Sequence, residues 1–245
     1  MLNFFSDPQW IIPSIIAPFI FTAVALIFFR NTPGPLGLYA VLGGGMMGMW
    51  GNTLYGAGFA MSYDRWNGTL EYVLATPSRL VWIVAGRSAS SAVLGLVNAV
   101  AVLVVAVFGF KAQLGLADPI TFLLALVLTL TSLSALGVLF CSSFLLTRSA
   151  QVMTNGLEMP IYVASGSMFP IALLPFWSHP LSLSLGPTWG IDAMRYTADA
   201  AYVGMGFWPD ILVLVASTIA YLAIGFWLFI VVENKARRDG SLMEY

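Results

Sequence analysis

Long apolar stretches separated by short polar segments dominate the pattern of this chain. A helix needs about 20 consecutive apolar residues to cross the hydrocarbon core of a bilayer. Six stretches meet this requirement, at residues 10–29, 38–61, 81–110, 119–146, 150–174 and 211–232. The pattern therefore predicts an all-α integral membrane protein with six transmembrane helices in a single domain over residues 1–245. Because no basic residue precedes the first stretch, we interpret it as a retained span and not as a cleaved signal peptide.

The polar segment between the second and third stretches holds a large share of the charged side chains. Asp64, Arg65 and Glu71 give it a charged side, whereas leucines recur at helical spacing on the other side. The segment ends at a proline, a residue that terminates helices. We predict a short amphipathic helix over residues 63–77, lying at the membrane face.

The connection between the fifth and sixth stretches, residues 175–210, is partly apolar but is interrupted by several prolines and glycines. These breaks argue against one more continuous spanning helix. Tryptophan and tyrosine side chains, which favour the membrane interface, recur along the connection. We predict a re-entrant region of short helices that dip partly into the bilayer.

Small residues follow one face of the second stretch. At a spacing of four residues, this face carries Gly44, Gly48, Asn52, Gly56 and Ala60. Such a stripe allows a neighbouring helix to approach closely. We expect it to serve mainly for packing; a second interpretation is a pliable helix that shifts during gating. The Asn52 amide either joins two spans by a hydrogen bond or lines a pathway.

Composition supports the membrane assignment. Hydrophobic types make up 59% of the chain and charged types only 9%, whereas a soluble domain has about 25% charged residues. A soluble protein of this size needs more charge to cover its surface, but a lipid-facing perimeter is apolar. The formal net charge of −1 argues against a nucleic-acid partner, which would need a basic surface.

The distribution of basic residues predicts the orientation of the spans, since cytoplasmic loops are enriched in lysine and arginine. With both termini in the cytoplasm, the inner segments hold Arg65, Arg79, Arg87, Arg148, Lys235, Arg237 and Arg238. The outer segments then hold only Arg30, Lys111 and Arg195. This excess places residues 63–77 in the cytoplasm and residues 175–210 outside.

Catalytic and metal-binding motifs are missing from the sequence. There is no Gly-Lys dipeptide and therefore no phosphate-binding loop for ATP. A single histidine, His179, and a single cysteine, Cys141, provide no basis for a metal site or a hydrolytic triad. We expect a chain that is not an enzyme, binds no metal or cofactor, and draws any energy beyond an ion gradient from another protein.

Glu158 is the most unusual residue inside an apolar stretch. A carboxylate at that depth costs about 2.5–3.5 kcal/mol on insertion scales, so it needs a partner or a water-lined cavity. It either faces a substrate path or relays protons, or else it forms a structural pair with Arg87, Arg148 or Asn98. Asn155, in the same stretch, either links spans or lines the same path.

Three short motifs resemble the signatures of ABC-2 type transporter permeases. The G-T-L-E…T-P segment of that family is similar to residues 64–71 (DRWNGTLE) with residues 75–77 (ATP). Its S-G-x-x-F-P…L-P signature is similar to residues 165–170 (SGSMFP) with residues 174–175 (LP). Its P-[LT]-x-x-x-x-x-x-R tail is similar to residues 187–195 (PTWGIDAMR). All three occur in the family's order, and the resemblance covers nearly the whole chain.

The resemblance implies the membrane subunit of an ATP-binding-cassette exporter, in the drug- or antibiotic-resistance-like branch of the family. Residues 63–77 would form the coupling helix, whose contacts to an ATPase would come from Asp64, Arg65, Gly68, Thr69 and Glu71. Two copies of a cytoplasmic ABC ATPase would bind ATP and Mg²⁺. A second permease chain, identical or related, would complete the transporter in the bacterial cytoplasmic membrane. The implied substrate is amphipathic: a drug, an antibiotic or a lipid-like molecule.

The resemblance also implies a gate and a pathway. The candidates for an outer gate are Met168 and Phe169, near the end of the fifth stretch, and Phe176 and Trp177, just beyond it. The alternative for Trp177 is an interface anchor. The pathway candidates within the spans are Asn52, Asn155 and Glu158. The family generally has an amphipathic elbow helix before the first span; since few residues precede the first apolar stretch here, a full elbow is not expected.

Other functions stay open on the sequence alone. One is export of a glycan or lipid-linked glycan by a permease of the same family. Another is ion-coupled secondary transport through Glu158; such transporters generally contain internal repeats, and no repeat between the two halves is evident. A third is an assembly or sensor subunit that moves no substrate.

Overall fold

The computed structural model describes residues 16–29, 36–69, 72–73, 76, 80–110, 117–145, 150–168, 171, 174–198, 204 and 206–239. All regular secondary structure within these ranges is helical, which confirms the all-α prediction. The α-helices are α1 (Ala17–Phe29), α2 (Leu36–Gly51), α3 (Ala60–Trp66), α4 (Leu80–Val104), α5 (Pro119–Leu145), α6 (Ala150–Ala164), α7 (His179–Ser184), α8 (Gly186–Ala198) and α9 (Phe207–Asp239). A first π-helical segment (Asn52–Gly58) follows α2, a second (Val105–Gly109) follows α4, and a 3-10 turn (Phe176–Ser178) precedes α7.

Within the described ranges, three helices are long and apolar enough to cross a membrane: Leu80–Gly109, Pro119–Leu145 and Phe207–Val231. They correspond to the third, fourth and sixth predicted spans. The described part of α1 includes a shorter apolar helix, Ala17–Ile27, and the start of the first predicted span lies outside the described residues. The first, second and fifth spans therefore stay predictions.

Helix α5 lies at the centre of the bundle and packs against α4, α8, α9 and the first π segment. Its inner face includes Gly137, where an added Cβ would come within 2.7 Å of the Ala57 Cβ. Helices in a membrane associate by close packing, which such small residues permit. In contrast, α4 and α9 expose large apolar side chains such as Val97, Ile219 and Trp227, as a lipid-facing perimeter requires.

The glycine stripe of the second stretch lies against α1 and α4. An added Cβ on Gly48 would lie 3.2 Å from the Asn98 side chain of α4, and one on Gly56 would lie 2.6 Å from a serine hydroxyl of the same helix. A Cβ on Gly44 would overlap the Thr22 side chain of α1. These contacts confirm that the stripe serves for packing, because a larger side chain would separate the helices.

The first π segment interrupts the second predicted span, residues 38–61. The Phe59 amide donates to the Leu54 carbonyl at 3.1 Å, and this five-residue step is the hydrogen bond of a π-helix. Each residue of an α-helix turns the chain by about 100°, so one additional residue rotates everything beyond it by that amount. Helix α3 then continues to Trp66, past the predicted end of the span.

The amphipathic helix predicted over residues 63–77 is divided in the structure. Its first residues belong to α3, which ends at Trp66. Gly68 then adopts a φ of 66°, a left-handed conformation that glycine accepts with little strain and that ends helices. Beyond this glycine, the Thr69 carbonyl accepts from the Val73 amide at 3.3 Å. The prediction of one helix starting at residue 63 was therefore wrong at this glycine.

Helix α6 is shorter than the fifth predicted span, residues 150–174, because it ends at Ala164. The cause is Gly166, whose φ of 72° directs the chain away from the helix axis. Beyond it, the 3-10 turn, α7 and α8 agree with the prediction of short helices in residues 175–210. Most of α8 is buried, since it packs against α2, α5 and α9.

Candidate functional site

Four polar side chains meet between α6 and the first π segment, and we call them the tyrosine–glutamate cluster. The Tyr55 hydroxyl donates to Glu158 Oε2 at 2.7 Å, and the Tyr162 hydroxyl donates to Glu158 Oε1 at 3.1 Å. Asn155 Oδ1 lies 3.1 Å from the Tyr55 hydroxyl oxygen. Both phenols are neutral donors, so they bind the carboxylate without cancelling its charge.

The cluster is buried on one side and open on the other. The Tyr55 and Tyr162 side chains are 3% and 0% exposed, whereas Glu158 is half-buried and Asn155 is exposed. The tyrosines therefore support the carboxylate from the interior of the bundle. The open side belongs to the outward face of α6, which also exposes apolar side chains such as Val152.

The π segment positions Tyr55 for this contact. Its wide turn rotates the residues that follow Asn52 relative to α2, and Tyr55 projects toward α6. Asn52 itself is buried, and its amide donates to the Gly48 carbonyl one turn back at 2.9 Å. Of the three pathway candidates within the spans, the structure therefore brings together Asn155 and Glu158 but places Asn52 within its own helix.

The sequence suggested Arg87, Asn98 and Arg148 as structural partners of Glu158. The first two contact other residues, and the third lies outside the described residues. Arg87 forms an ion pair with Asp64. Asn98 packs against a glycine of α2, and Arg148 lies outside the described residues. The pairing with Arg87 was therefore wrong, because α4 directs this guanidinium to the end of α3.

Sequence reasoning missed the two tyrosines. Tyr162 follows Glu158 by four residues, a spacing at which side chains of one helix meet, so the sequence carried a signal for it. Nothing in the sequence indicated Tyr55, since it lies 103 positions from Glu158. It reaches Glu158 only because of the helix packing and the π segment.

A second group of contacts binds the end of α3 to its neighbours. Asp64 forms an ion pair with Arg87 of α4. Arg65 Nη2 donates to the Leu145 carbonyl at 3.2 Å, at the C-terminal end of α5, where a cation also interacts favourably with the helix dipole. Partial burial lowers the pKa of the Arg65 guanidinium from its ordinary value, yet arginine remains charged in proteins. Both charged residues thus make internal contacts.

The residues that follow, 66–69, are exposed; they comprise the last residue of α3 and the turn after it, and we call them the exposed turn. The Thr69 amide donates to the Asp64 carbonyl at 2.9 Å, and the Thr69 hydroxyl donates to the same carbonyl at 3.2 Å. Asp64 therefore shapes the turn and also attaches it to α4. Trp66 is 59% exposed, a large apolar surface at the tip of a charged segment. Glu71, the last of the candidate coupling residues, lies outside the described residues.

A third site joins two of the motifs noted in the sequence, and we call it the arginine clasp: Tyr39, Gly166 and Arg195. Arg195 Nη2 donates to the Gly166 carbonyl at 2.9 Å, and the Tyr39 hydroxyl donates to the same carbonyl at 3.3 Å. The Arg195 guanidinium also lies over the Tyr39 ring, 3.4 Å from its centre, as a cation–π contact. The clasp therefore connects α2, the end of α6 and α8.

The turn after α6 is tightly packed around the clasp. The Ser165 and Ser167 hydroxyls lie 2.8 Å apart, at hydrogen-bond distance. An added Cβ on Gly43 of α2 would overlap the Ser167 carbonyl, so the α2 backbone directly contacts the turn. The serines and glycine of this motif thus serve a close contact between backbone segments.

The three outer gate candidates that the structure describes lie in different surroundings. Met168 is partly buried and packs against the main core. Phe176 and Trp177 lie in the 3-10 turn and are exposed. Phe169 lies outside the described residues.

The helical bundle, its apolar perimeter and its polar cluster define a multi-pass α-helical membrane protein. A family model described as ABC-2 type transporter matches residues 1–198. The chain therefore belongs to the ABC-2 type transporter family, which confirms the resemblance noted from the three motifs. No curated protein gives a significant match. Permeases of this family are membrane components of transporters; they are generally non-catalytic and generally work with an ATPase partner.

Proposed function

We propose that this chain is the transmembrane permease subunit of an ATP-binding-cassette exporter, which moves an amphipathic molecule out across the bacterial cytoplasmic membrane. Such a substrate, a drug, an antibiotic or a lipid-like molecule, matches apolar helices that carry one half-buried polar cluster. A separate ABC ATPase, present in two copies, binds ATP and Mg²⁺ and drives the movement. Both termini of the permease lie in the cytoplasm.

The observation that carries this proposal is the attachment of the exposed turn to two helices at once. Directly before the turn, the Asp64–Arg87 ion pair joins the end of α3 to α4, and the Arg65–Leu145 hydrogen bond joins it to α5. A surface that transmits force needs such connections, since a free loop would absorb the movement. Closure of the ATPase dimer would press on the turn, and α3 would carry the displacement into the first π segment.

The proposed pathway runs along the outward face of α6. This face places the exposed Asn155 and the half-buried Glu158 among apolar side chains. Direct contact of these groups with lipid tails would be unfavourable, because hydrocarbon offers no hydrogen bonds. A second permease chain, identical or related, would cover this face and enclose the path between the two copies.

The outer end of the path is proposed to open near the turn after α6. Met168 and Phe169 follow this turn, and Phe176 and Trp177 precede α7. The arginine clasp supports the proposal because it joins the turn to α8, so these elements would move together.

Association with an ATPase tests the function. The chain would be purified together with the products of its neighbouring genes, and co-purifying ATP hydrolysis would be measured. We expect an ABC ATPase in the complex. Trp66→Ala, in the exposed turn, and Glu71→Lys should each reduce the retained ATPase activity several-fold, because both residues belong to the proposed docking surface.

The matched control for this experiment is Trp208→Ala. Trp208 is 72% exposed, similar to Trp66, but lies at the start of α9, on the predicted outer side. It should leave ATPase association unchanged. Transport by the purified chain without ATP would contradict the proposal and support ion-coupled transport, whereas equal losses for Trp66→Ala and Trp208→Ala would contradict the docking site.

A further inference from the structure

Glu158 retains hydrogen-bonding capacity beyond its two phenolic partners. An ionised carboxylate offers about four acceptor positions. Tyr55 and Tyr162 each occupy one, on different oxygens. Since no other donor to Glu158 occurs among the residues that the structure describes, about half of the capacity is available to another molecule.

The available positions face away from the interior. The two tyrosines that donate to the carboxylate are buried, whereas Glu158 is half-buried on α6. A molecule on the outward face of α6 therefore approaches the open side of the carboxylate. The neighbouring Asn155, exposed on this face, adds a neutral hydrogen-bonding group one turn earlier.

The charge of the tyrosine–glutamate cluster determines whether a cationic, anionic or uncharged ligand binds best. Two neutral phenols stabilise an anion by hydrogen bonds but leave its net charge in place. Attraction between opposite charges grows as the surroundings become less polar, so a cation gains more here than at a protein surface in water. An anionic ligand would be repelled by the same charge, and an uncharged ligand would gain only hydrogen bonds.

We propose that Glu158 binds the ammonium group of a cationic amphipathic substrate, an inference that rests on the proposed export function and deepens it. An ammonium has N–H donors for the open carboxylate positions. The apolar part of the substrate extends from Glu158 past Asn155 to the exposed side chains of Val152 and Met159, which lie three and four residues from Asn155 on α6. Methionine suits a varied apolar ligand, because its side chain is flexible and polarisable.

Two fluorescent probes that differ only in the charged group test this proposal. Dansylcadaverine carries a primary ammonium, and its N-acetyl derivative has the same body without the charge. Binding of each would be measured by dansyl fluorescence with the purified full chain in phosphatidylcholine nanodiscs, after subtraction of empty nanodiscs. We expect the ammonium probe to bind at least about tenfold more tightly, the factor that a charged hydrogen bond supplies.

Substitutions at Glu158 test whether the preference for the ammonium probe depends on this carboxylate. Glu158→Gln, which keeps the size and an acceptor for the tyrosines, should reduce the preference to about twofold or less. Glu158→Asp, which keeps the charge, should retain most of it. The matched control is Asp118→Asn, which removes one negative charge at the exposed start of α5 while an asparagine can still cap the helix. It should leave the preference unchanged.

Specific outcomes would overturn the inference. Equal binding of the two probes to the unaltered protein would do so regardless of how any variant folds, and so would an unchanged preference in Glu158→Gln. These measurements need no ATPase. Failure here therefore leaves the ATPase association test intact, and loss of ATPase association would leave probe binding interpretable.

Discussion

Arg195 of α8 donates to the backbone carbonyl of Gly166 at 2.9 Å, 29 positions away in the chain. The guanidinium is buried, and it lies over the ring of Tyr39, whose hydroxyl donates to the same carbonyl. One charged side chain thus joins the turn after α6 to α2 and α8. The buried guanidinium has a hydrogen bond and a cation–π contact in place of its hydration. Removing it should therefore reduce stability more than removing a charge at the surface would.

We expect Arg195→Ala to lower the stability of the folded chain by about 2–3 kcal/mol, because a charge-assisted hydrogen bond and a cation–π contact are both lost. For a chain of this size, that loss corresponds to a decrease in melting temperature of about 5–10 °C. Tyr39→Phe, which keeps the ring but removes the longer hydrogen bond, should cost about 1 kcal/mol or less. Thermal denaturation in detergent would measure both, and Tyr196→Ala, on an exposed neighbour, provides the control. Equal shifts for Arg195→Ala and Tyr196→Ala would show that the clasp contributes nothing.

Gly166→Ala should destabilise the protein by about 1–2 kcal/mol, because an alanine at a φ of 72° is strained in the left-handed region. The matched control is Gly156→Ala in the interior of α6, where an added Cβ meets nothing within 4 Å. There the higher helix propensity of alanine should leave stability unchanged or raise it by up to about 1 kcal/mol. Melting temperatures of the two variants under one condition would compare them. The explanation fails if Gly166→Ala melts at the temperature of the unaltered chain.

Charge reversals at Asp64 and Arg87 should distinguish the contribution of the ion pair from the contribution of each charge alone. Asp64→Arg and Arg87→Asp each bring two like charges together in a partly buried site, so each should reduce stability and ATPase association. The double variant restores opposite charges and should recover part of both losses, as an interaction energy in a double-mutant cycle. Additive losses in the double variant would mean that the pair does not act as a unit.

Asp210→Asn should stabilise the protein. Asp210 is 0% exposed at the start of α9, and neither carboxylate oxygen has a hydrogen-bond partner among the residues that the structure describes. A buried carboxylate without a partner is expensive, and an amide of similar shape removes the charge. The expected gain in melting temperature is at least about 2 °C.

Asp118→Asn is the control for that gain, since Asp118 is exposed and caps α5 with hydrogen bonds that an asparagine can replace. Its melting temperature should stay unchanged. A lower melting temperature for Asp210→Asn would contradict this explanation, because it would show that the charge of Asp210 stabilises the folded chain.

Several features followed from the sequence because they depend on short-range physical rules. The length and apolarity of residues 81–110, 119–146 and 211–232 predicted helices that the structure contains within a few residues. The prolines and glycines of residues 175–210 predicted short helices, since they interrupt longer ones. The stripe that includes Gly48 predicted close packing, because small side chains at a spacing of four share one face of a helix.

At two positions, the sequence did not show that a glycine would end a helix. Gly68 ends α3 inside the segment predicted as one helix, and Gly166 ends α6 before the predicted end of the fifth span. A glycine in an apolar stretch either continues a helix for packing or ends it in the left-handed region, and the sequence pattern is the same in both cases. The choice depends on what the following residues contact.

The sequence by itself determined that the chain is helical, apolar enough for a membrane and similar to ABC-2 permeases, because composition, stretch length and motif order are properties of the chain alone. Only the tertiary structure decided which polar groups meet: Tyr55 with Glu158, Asp64 with Arg87, and Arg195 with Gly166. In a soluble helix, the polar face shows which side points outward. In a membrane helix both the inner and the outer side are apolar, so the pattern carries little information on rotation, and close packing together with one π segment determines the partners.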